Sequence, residues 1–224
     1  MSVQDYTVGR YLAERLKQVG IRHVFGVPGD YVLTAMDSIL ASGIELIGTC
    51  NELNAGYAAD AYARINGIGA LCVTYGVGGY SALNAVAGAA AEQVPLVAVI
   101  GGPGMIQRRP SMLLHHSAGD LSTQLSVYEK LTVASVLLTD ASQAPQQIDN
   151  TLGACLALKR PVVIEVPTDL VQLPCAPTGP LRLPTPRSDP AALDEAVEEI
   201  AALLAAAETP AILAYIAQTH RGAN

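Results

Sequence analysis

The chain has 224 residues and a net charge of −7, and its composition is 50% hydrophobic and 15% charged. This composition excludes an intrinsically disordered protein, and the lack of a basic cluster beyond Arg108-Arg109 argues against a nucleic-acid partner. The low proportion of charged residues also indicates that other protein covers part of the surface, either a partner subunit or the rest of a longer chain.

Helical and strand patterns alternate along the first three quarters of the chain. We predict helices at 7–19, 31–41, 52–66, 80–93, 121–128 and 144–158. We predict strands at 23–27, 45–50, 70–75, 96–100, 132–138 and 161–166. The strands are short and nearly continuous in Val, Ile, Leu and Ala, which is typical of a parallel sheet buried on both faces. The sequence therefore predicts an α/β fold, a doubly wound six-stranded parallel sheet with helices on both faces.

One uncharged run, residues 68–91, is long enough to cross a membrane. Three glycines, Gly76, Gly78 and Gly79, interrupt its centre. We therefore divide the run into a strand, a glycine turn and a tightly packed helix, and we expect no membrane partner.

The four cysteines have neither C-x-x-C pairing nor the spacing of metal ligands. Cys50 and Cys72 fall in predicted apolar strands, and we interpret them as reduced core residues. Together with an N-terminus that has no apolar signal segment, this predicts a cytoplasmic location.

The composition changes after Pro167. Seven of the fourteen prolines fall between Pro167 and Pro190, so residues 168–190 are predicted to form an extended Pro-rich linker after a first domain at 1–167. A helix at 191–207 and a strand at 210–216 follow in the prediction. Because one helix and one strand cannot bury a core, we expect residues 191–224 to begin a second, middle α/β domain that is incomplete.

Glu52 is the candidate for acid–base chemistry. It lies where an apolar strand meets a helix rich in Ala and Gly, and open α/β sheets bind ligands outside the carboxyl ends of their strands. Burial there would raise the pKa of the carboxyl group, which suits an acid that passes a proton near neutral pH. On this residue alone, an acid that is merely favoured by the helix dipole is the simpler explanation.

Other candidates also have plainer explanations. Asp30, between Gly29 and a predicted helix, could be an N-cap, and His115-His116 could be surface loop residues. No other ligand-type residue stands near the histidines at metal spacing, so we predict no metal site. The glycine turn at 76–81 suggests a dinucleotide loop but lacks the final glycine and a following acidic residue.

Five segments occur in one order along the chain: Tyr6–Leu16, Gly29–Tyr31, Cys50–Asn54, Thr74–Gly78 and Leu114–His116. Together they closely resemble the N-terminal, pyrimidine-binding domain of thiamine-diphosphate-dependent 2-oxo acid decarboxylases, the pyruvate and indolepyruvate decarboxylase group. The resemblance extends from about Tyr6 to Pro174. It implies non-oxidative decarboxylation of a 2-oxo acid of the pyruvate, phenylpyruvate or indolepyruvate type to an aldehyde and carbon dioxide.

The resemblance also implies residue roles. Glu52 would hydrogen-bond a ring nitrogen of the cofactor's aminopyrimidine, and Asp30 would take part in proton relay. His115 and His116 would stabilise charge and protonate the product, work that suits imidazole. The backbone contacts to the pyrimidine ring would come from Thr74, Gly76, Val77 and Gly78.

The family holds the cofactor's diphosphate through Mg²⁺ in a C-terminal domain whose Gly-Asp-Gly segment this sequence lacks. The resemblance therefore implies an active site completed by a partner subunit, in a homodimer or homotetramer. Two alternatives stay open: a carboligase of the acetolactate synthase kind, which the double histidine disfavours, and a non-catalytic binding or assembly module that keeps the fold.

Overall fold

In the computed structural model of the chain, residues 6–109, 112–181 and 188–212 are described. The strands are β1 His23–Gly26, β2 Glu45–Gly48, β3 Gly69–Thr74, β4 Leu96–Gly102, β5 Ala134–Leu137 and β6 Val162–Pro167. The helices are α1 Val8–Gln18, α2 Leu33–Ala41, α3 Glu52–Asn66, α4 Val77–Ala91, α5 Thr123–Tyr128, α6 Ala144–Leu158, α7 Thr168–Val171 and α8 Pro190–Ala206.

The six strands form one parallel sheet in the order β2-β1-β3-β4-β6-β5. This confirms the predicted doubly wound fold. The chain runs outward from β1 to β2 and then returns to place β3 on the other side of β1, so the winding direction reverses between β1 and β3. In open α/β sheets, ligands bind outside the carboxyl ends of the strands at such a reversal.

Two hydrophobic cores lie on the two faces of the sheet. Alternate residues of β3 explain the division, because successive side chains of a strand point to opposite faces. Ala70 and Cys72 belong to the core that α1, α2 and α6 cover. Leu71 and Val73 belong to the core that α3, α4 and Tyr128 cover.

The glycines of the uncharged run are placed differently from the prediction. Helix α4 begins at Val77, three residues before the predicted start, so Gly78 and Gly79 belong to its first turn. The chain turn between β3 and α4 needs only Gly76, whose positive φ of +66° glycine adopts readily. Helix α2 also differs from the prediction and begins at Leu33.

The prediction for Cys50 is wrong, because this residue is exposed. Strand β2 ends at Gly48 and lies at the edge of the sheet, so Cys50 falls in the loop that follows. Cys72 is buried in β3 as predicted, and burial raises the pKa of its thiol to about 12.

The segment after β6 packs on α1. Backbone hydrogen bonds join Val8 N to Leu173 O at 3.0 Å and Cys175 N to Tyr6 O at 2.8 Å. Cys175 is 4% exposed. The first part of the predicted linker therefore lies against the sheet domain.

A polar cluster holds Thr178 and Gly179, further along the same segment, in place. Arg15 Nε donates to Asp149 Oδ1 at 2.7 Å, and Arg15 Nη2 donates to Gly179 O at 2.6 Å and to Thr178 Oγ1 at 3.1 Å. Tyr11 Oη donates to Asp149 Oδ1 at 2.8 Å. These residues of α1, α6 and the following segment are called the Arg15 cluster below.

Helix α8 corresponds to the predicted helix at 191–207. Asp189 caps it through a 3.0 Å hydrogen bond from Ala192 N, and all of its residues are exposed. Residues 210–212 have no regular structure, and the rest of the predicted strand, 213–216, lies outside the described residues. Within the described part of the chain, none of the helices has the length and apolar character needed to cross a membrane.

Candidate active site

The predicted site residues lie at the carboxyl ends of four neighbouring strands, which together form one edge of the sheet. In the register, Gly26 at the end of β1 lies beside Gly48 at the end of β2, and Thr74 at the end of β3 lies beside Gly101 of β4. The loops that leave these strands therefore begin at a common edge. The candidates lie there as follows: Asp30 after β1, Glu52 after β2, Thr74 at the end of β3 with Gly76 to Gly78 after it, and His115 and His116 after β4.

Glu52 is the first residue of α3. The side chain of Asn51 caps this helix by accepting a 2.9 Å hydrogen bond from Asn54 N, so the Glu52 carboxylate is not needed as the cap. Glu52 is half-buried, so within this chain its carboxyl group is less buried than we predicted. Its Oε1 lies 3.3 Å from the point where a Cβ on Gly78 would sit.

The glycine turn is shaped by what surrounds it. A Cβ on Gly76 would lie 1.9 Å from the carbonyl oxygen of His116, and one on Gly78 would lie 2.9 Å from Thr74 Cγ2. Both positions therefore require glycine. Val77, between them, is 55% exposed, so an apolar side chain projects from this turn. This combination gives a backbone surface that a flat ring could approach closely.

Thr74 connects the glycine turn to the loop after β1. A Cβ on Gly29 would lie 3.0 Å from Thr74 Cβ, so the turn that carries Asp30 passes directly over this side chain. Thr74 is 6% exposed, and its Oγ1 has no hydrogen-bond partner among the described residues. Because buried hydroxyls are normally paired, this atom indicates a ligand or ordered water at the site.

Asp30 and His115 form a hydrogen-bonded pair, with 2.9 Å between Asp30 Oδ2 and His115 Nε2. Both side chains are more than half exposed. The pKa of the Asp30 carboxyl is lowered by a hydrogen bond from its own backbone amide, by the bond to His115 and by the charge of both histidines. The structure thus brings together two of the predicted catalytic residues.

Two tyrosines orient the histidine loop. The Tyr31 ring lies 5.1 Å from the His115 ring, and Tyr75 Oη donates to His115 O at 2.5 Å. Burial raises the pKa of Tyr75 to about 12, so this phenol remains a donor. His116 has a φ of +66°, its ring lies 4.7 Å from that of His115, and its buried Nδ1 has no partner among the described residues.

The polar residues that support the glycine turn from inside were not predicted from the sequence. Gln124 accepts from Gly76 N at 2.7 Å and donates to Glu165 Oε2 at 3.2 Å, and Glu165 pairs with Arg108. Glu165 could have been found, because it is the only charged residue in the apolar strand β6. A carboxylate in such a strand requires a buried partner.

The sheet reversal, the glycine turn and the half-buried acid are compatible with a domain that binds a thiamine cofactor, and the comparison with known families identifies that class. The chain belongs to the family described as thiamine pyrophosphate enzyme, N-terminal TPP binding domain, which it matches over residues 6–126. Thiamine pyrophosphate is another name for thiamine diphosphate.

Among curated proteins, the chain is similar to pyruvate decarboxylases of fungi and plants. It is 46% identical over 175 residues to pyruvate decarboxylase of Aspergillus parasiticus, covering 77% of this chain and 30% of that protein. It is 48% identical over 166 residues to pyruvate decarboxylase of Aspergillus fumigatus, covering 73% and 29%. It is 44% identical over 173 residues to pyruvate decarboxylase 1 of Arabidopsis thaliana, covering 76% and 28%. The chain therefore spans about 30% of the length of these relatives.

The residues at this edge fit the pyrimidine half of thiamine diphosphate. The fit rests on the side-chain-free surface at Gly76 and Gly78, on the carboxylate of Glu52 beside it, and on the unpartnered hydroxyl of Thr74. A flat aminopyrimidine needs a close backbone surface and a polar group opposite a ring nitrogen, and these residues offer both. The individual roles of these residues stay predictions.

Proposed function

We propose that this chain forms the pyrimidine-binding half of the active site of a thiamine-diphosphate-dependent 2-oxo acid decarboxylase. The observation that carries the proposal is the Asp30–His115 pair, which joins the loops after β1 and β4 beside the glycine turn. A cofactor cradle alone would serve many reactions, whereas paired proton-transfer groups above it favour one that ends in protonation.

Glu52 would hold the ring nitrogen of the aminopyrimidine, with Thr74, Gly76, Val77 and Gly78 contacting the ring. When bound, thiamine diphosphate supplies an electron sink for the loss of carbon dioxide. Glu52 would exchange a proton with the ring, because its Oε1 lies beside Gly78, which has no side chain to separate the two. The partial burial of the carboxylate would be completed by the cofactor and by the partner subunit.

Asp30 and His115 would handle protons on the substrate side. Their pairing at 2.9 Å orients the imidazole and lets a proton pass between Asp30 Oδ2 and His115 Nε2. His116 would add a second imidazole whose Nδ1 already faces no protein partner among the described residues. Together they could stabilise carboxylate charge and then protonate the product.

The remaining parts of the proposal come from the family and the relatives. Mg²⁺ and the diphosphate would be held outside this chain, and the site would be completed at a homodimer or homotetramer interface. The names of the similar proteins favour pyruvate as the substrate, with phenylpyruvate and indolepyruvate as alternatives of the same class. A cytoplasmic location is also part of the proposal.

Product analysis tests the reaction. The full-length polypeptide that carries this sequence is incubated with pyruvate, thiamine diphosphate and Mg²⁺. We expect acetaldehyde and carbon dioxide in equal amounts. Acetolactate as the main product would favour the carboligase alternative. Absence of turnover with pyruvate, and with phenylpyruvate and indolepyruvate in parallel incubations, would favour the non-catalytic module.

A variant pair tests the site. Glu52→Gln keeps the shape of the side chain and removes its ionisable group, so turnover should fall by a factor of about 10² to 10⁴. Glu45→Gln is the matched control, because Glu45 lies at the opposite end of β2 with its side chain 69% exposed. Unchanged turnover in Glu52→Gln would contradict the proposal.

A further inference from the structure

A buried chain of polar groups runs from the interior of the sheet to the glycine turn. Arg108 pairs with Glu165, Glu165 accepts from Gln124 Nε2 at 3.2 Å, and Gln124 Oε1 accepts from Gly76 N at 2.7 Å. Gln124 is 3% exposed and Glu165 is 1% exposed. Every link lies within the described residues, and the family resemblance gave no role to Arg108, Gln124 or Glu165.

The order of these groups determines how the Gln124 amide must point. Its oxygen accepts from Gly76 N, so its nitrogen must face Glu165, which as a carboxylate can only accept. Arg108 neutralises that carboxylate, which allows its burial. A flipped amide would place two donors against each other at Gly76 and two acceptors against each other at Glu165. The chain therefore has one hydrogen-bonded arrangement.

The same amide also lies against α4. A Cβ on Gly79 would be 2.3 Å from Gln124 Oε1, so the first turn of α4 rests on this side chain. Tyr128, in the same helix as Gln124, donates to Gly79 O at 2.6 Å. On its outer side the turn meets His116 O, as the position of Gly76 showed. Helix α5 thus supports the turn from inside while the histidine loop covers it from outside.

We infer that Gln124, oriented by Glu165 and Arg108, is a positioning residue for the cofactor's pyrimidine ring. It fixes the positive-φ conformation of Gly76 and so sets the positions of Val77 and Gly78. This inference rests on the proposed function, because the ring is what Val77 and Gly78 would contact. It adds a buried layer behind the surface that touches the cofactor.

Hydrogen exchange measures the hydrogen bond from Gly76 N to Gln124 Oε1 in the absence of the cofactor. In the full-length polypeptide, Gln124→Met preserves side-chain length and removes the acceptor for Gly76 N. We expect exchange in peptides covering 75–79 to accelerate about tenfold, as loss of a buried hydrogen bond does. Gln147→Met, a part-buried glutamine on α6 whose Oε1 has no partner among the described residues, is the matched control. Unchanged exchange in Gln124→Met would overturn the inference.

Cofactor affinity measures the consequence at the site. The dissociation constant for thiamine diphosphate with Mg²⁺ should rise about tenfold in Gln124→Met and stay constant in Gln147→Met. A lower thermal midpoint with unchanged cofactor affinity would reduce Gln124 to a structural residue and overturn the inference. Failure of the unaltered protein to bind the cofactor would instead refute the proposed function, and the exchange result would still stand.

Exchanging the side chains of Gln124 and Glu165 tests whether cofactor affinity can be restored. Gln124→Glu places two carboxylates together, and Glu165→Gln sets its new amide nitrogen against a donor of either Gln124 or Arg108, so each single variant should bind the cofactor more weakly. In the double variant, the carboxylate introduced at position 124 would accept from Gly76 N and from the amide nitrogen introduced at position 165, and the amide oxygen at position 165 would accept from Arg108. Cofactor affinity should return to within about threefold of the unaltered protein. A double variant as weak as the weaker single variant would contradict the inference.

Discussion

Two hydrogen-bonded pairs, each joining an acidic and a basic side chain at nearly equal distance, have opposite surroundings. Arg15 Nε lies 2.7 Å from Asp149 Oδ1, and the exposed fractions of these side chains are 5% and 12%. His115 Nε2 lies 2.9 Å from Asp30 Oδ2, with exposed fractions of 54% and 69%. In the Arg15 cluster the partners are donors and acceptors of the protein itself. Around the Asp30–His115 pair lie two atoms without a partner among the described residues, Thr74 Oγ1 and His116 Nδ1.

This difference in burial indicates that the Arg15–Asp149 pair stabilises the fold, whereas the Asp30–His115 pair is available for chemistry. A buried charge must be fully hydrogen-bonded by the protein, and removal of one partner leaves the other charge uncompensated. An exposed pair adds little to stability, but its protons remain accessible to a substrate. Distance alone therefore says little about what an ion pair does.

The largest expected effect is on stability, in Arg15→Met. This change leaves the Asp149 carboxylate without its cation, and the free energy of unfolding should fall by about 3 kcal/mol. Urea denaturation measures the loss, and hydrogen exchange in residues 173–181 should accelerate because Thr178 and Gly179 lose their donor.

Arg10→Met provides the control on the same helix. Arg10 belongs to an i,i+4 pair with Glu14 that is 41% and 35% exposed. We expect less than about 1 kcal/mol of destabilisation from this variant. Equal losses in the two variants would show that burial does not distinguish these arginines.

The second effect concerns the backbone at the site. Gly76→Ala puts a Cβ 1.9 Å from His116 O at a φ of +66°, so we expect a loss of about 2–3 kcal/mol in urea denaturation. Gly119→Ala shares the positive φ, at +102°, but meets no atom within 4 Å, and should lose only about 1 kcal/mol. Such a result would show that a rigid backbone underlies the exposed side chains of the site.

The third effect is on activity and leaves stability nearly unchanged. His115→Asn should change the free energy of unfolding by less than about 1 kcal/mol, because the pair is exposed. Turnover in the full-length polypeptide should fall about 100-fold, the usual contribution of a proton-transfer group. A large loss of stability in this variant would show that the Asp30–His115 pair stabilises the fold, as the Arg15 cluster does.

The smallest effect is in the titration of Asp30. Its folded pKa is lowered, so the pair stabilises the folded state above the unfolded pKa of Asp30, and this stabilisation is lost as pH falls through the folded pKa. An NMR titration should show the carboxyl midpoint rising in His115→Asn, without reaching the ordinary value, since the backbone hydrogen bond remains. The midpoint of Asp140, lowered by its bonds to Ser142, should not move.

The fold was predictable because its strongest signals are local. Strands β3, β4 and β6 are buried along their whole length, and each reads as an apolar run that only Glu165 of β6 interrupts with a charge. The errors fell where local preference conflicts with packing. The sequence Val77-Gly78-Gly79 suggests a turn, since glycine disfavours a helix, yet it forms the first turn of α4 against Gln124.

The site was predictable only as separate residues. Asp30 and His115 are 85 positions apart, and their contact depends on the strand order, which the alternation of helices and strands does not determine. Gln124 gave no signal, because a glutamine in a short helix is ordinarily at the surface. Its importance follows from burial and from the two partners that the tertiary structure supplies.

The position of β6 has a consequence for how the protein is made. The strand order places β6 between β4 and β5, although it is synthesised after both. A nascent chain that has reached residue 126, the end of the family match, contains every predicted site residue but not the carboxylate that orients Gln124. Because domains condense from the amino terminus as the ribosome extends them, the final form of the glycine turn must wait until residue 165 has left the exit tunnel. Pausing of translation before that residue would prolong a state in which the edge of β4 is open to other chains.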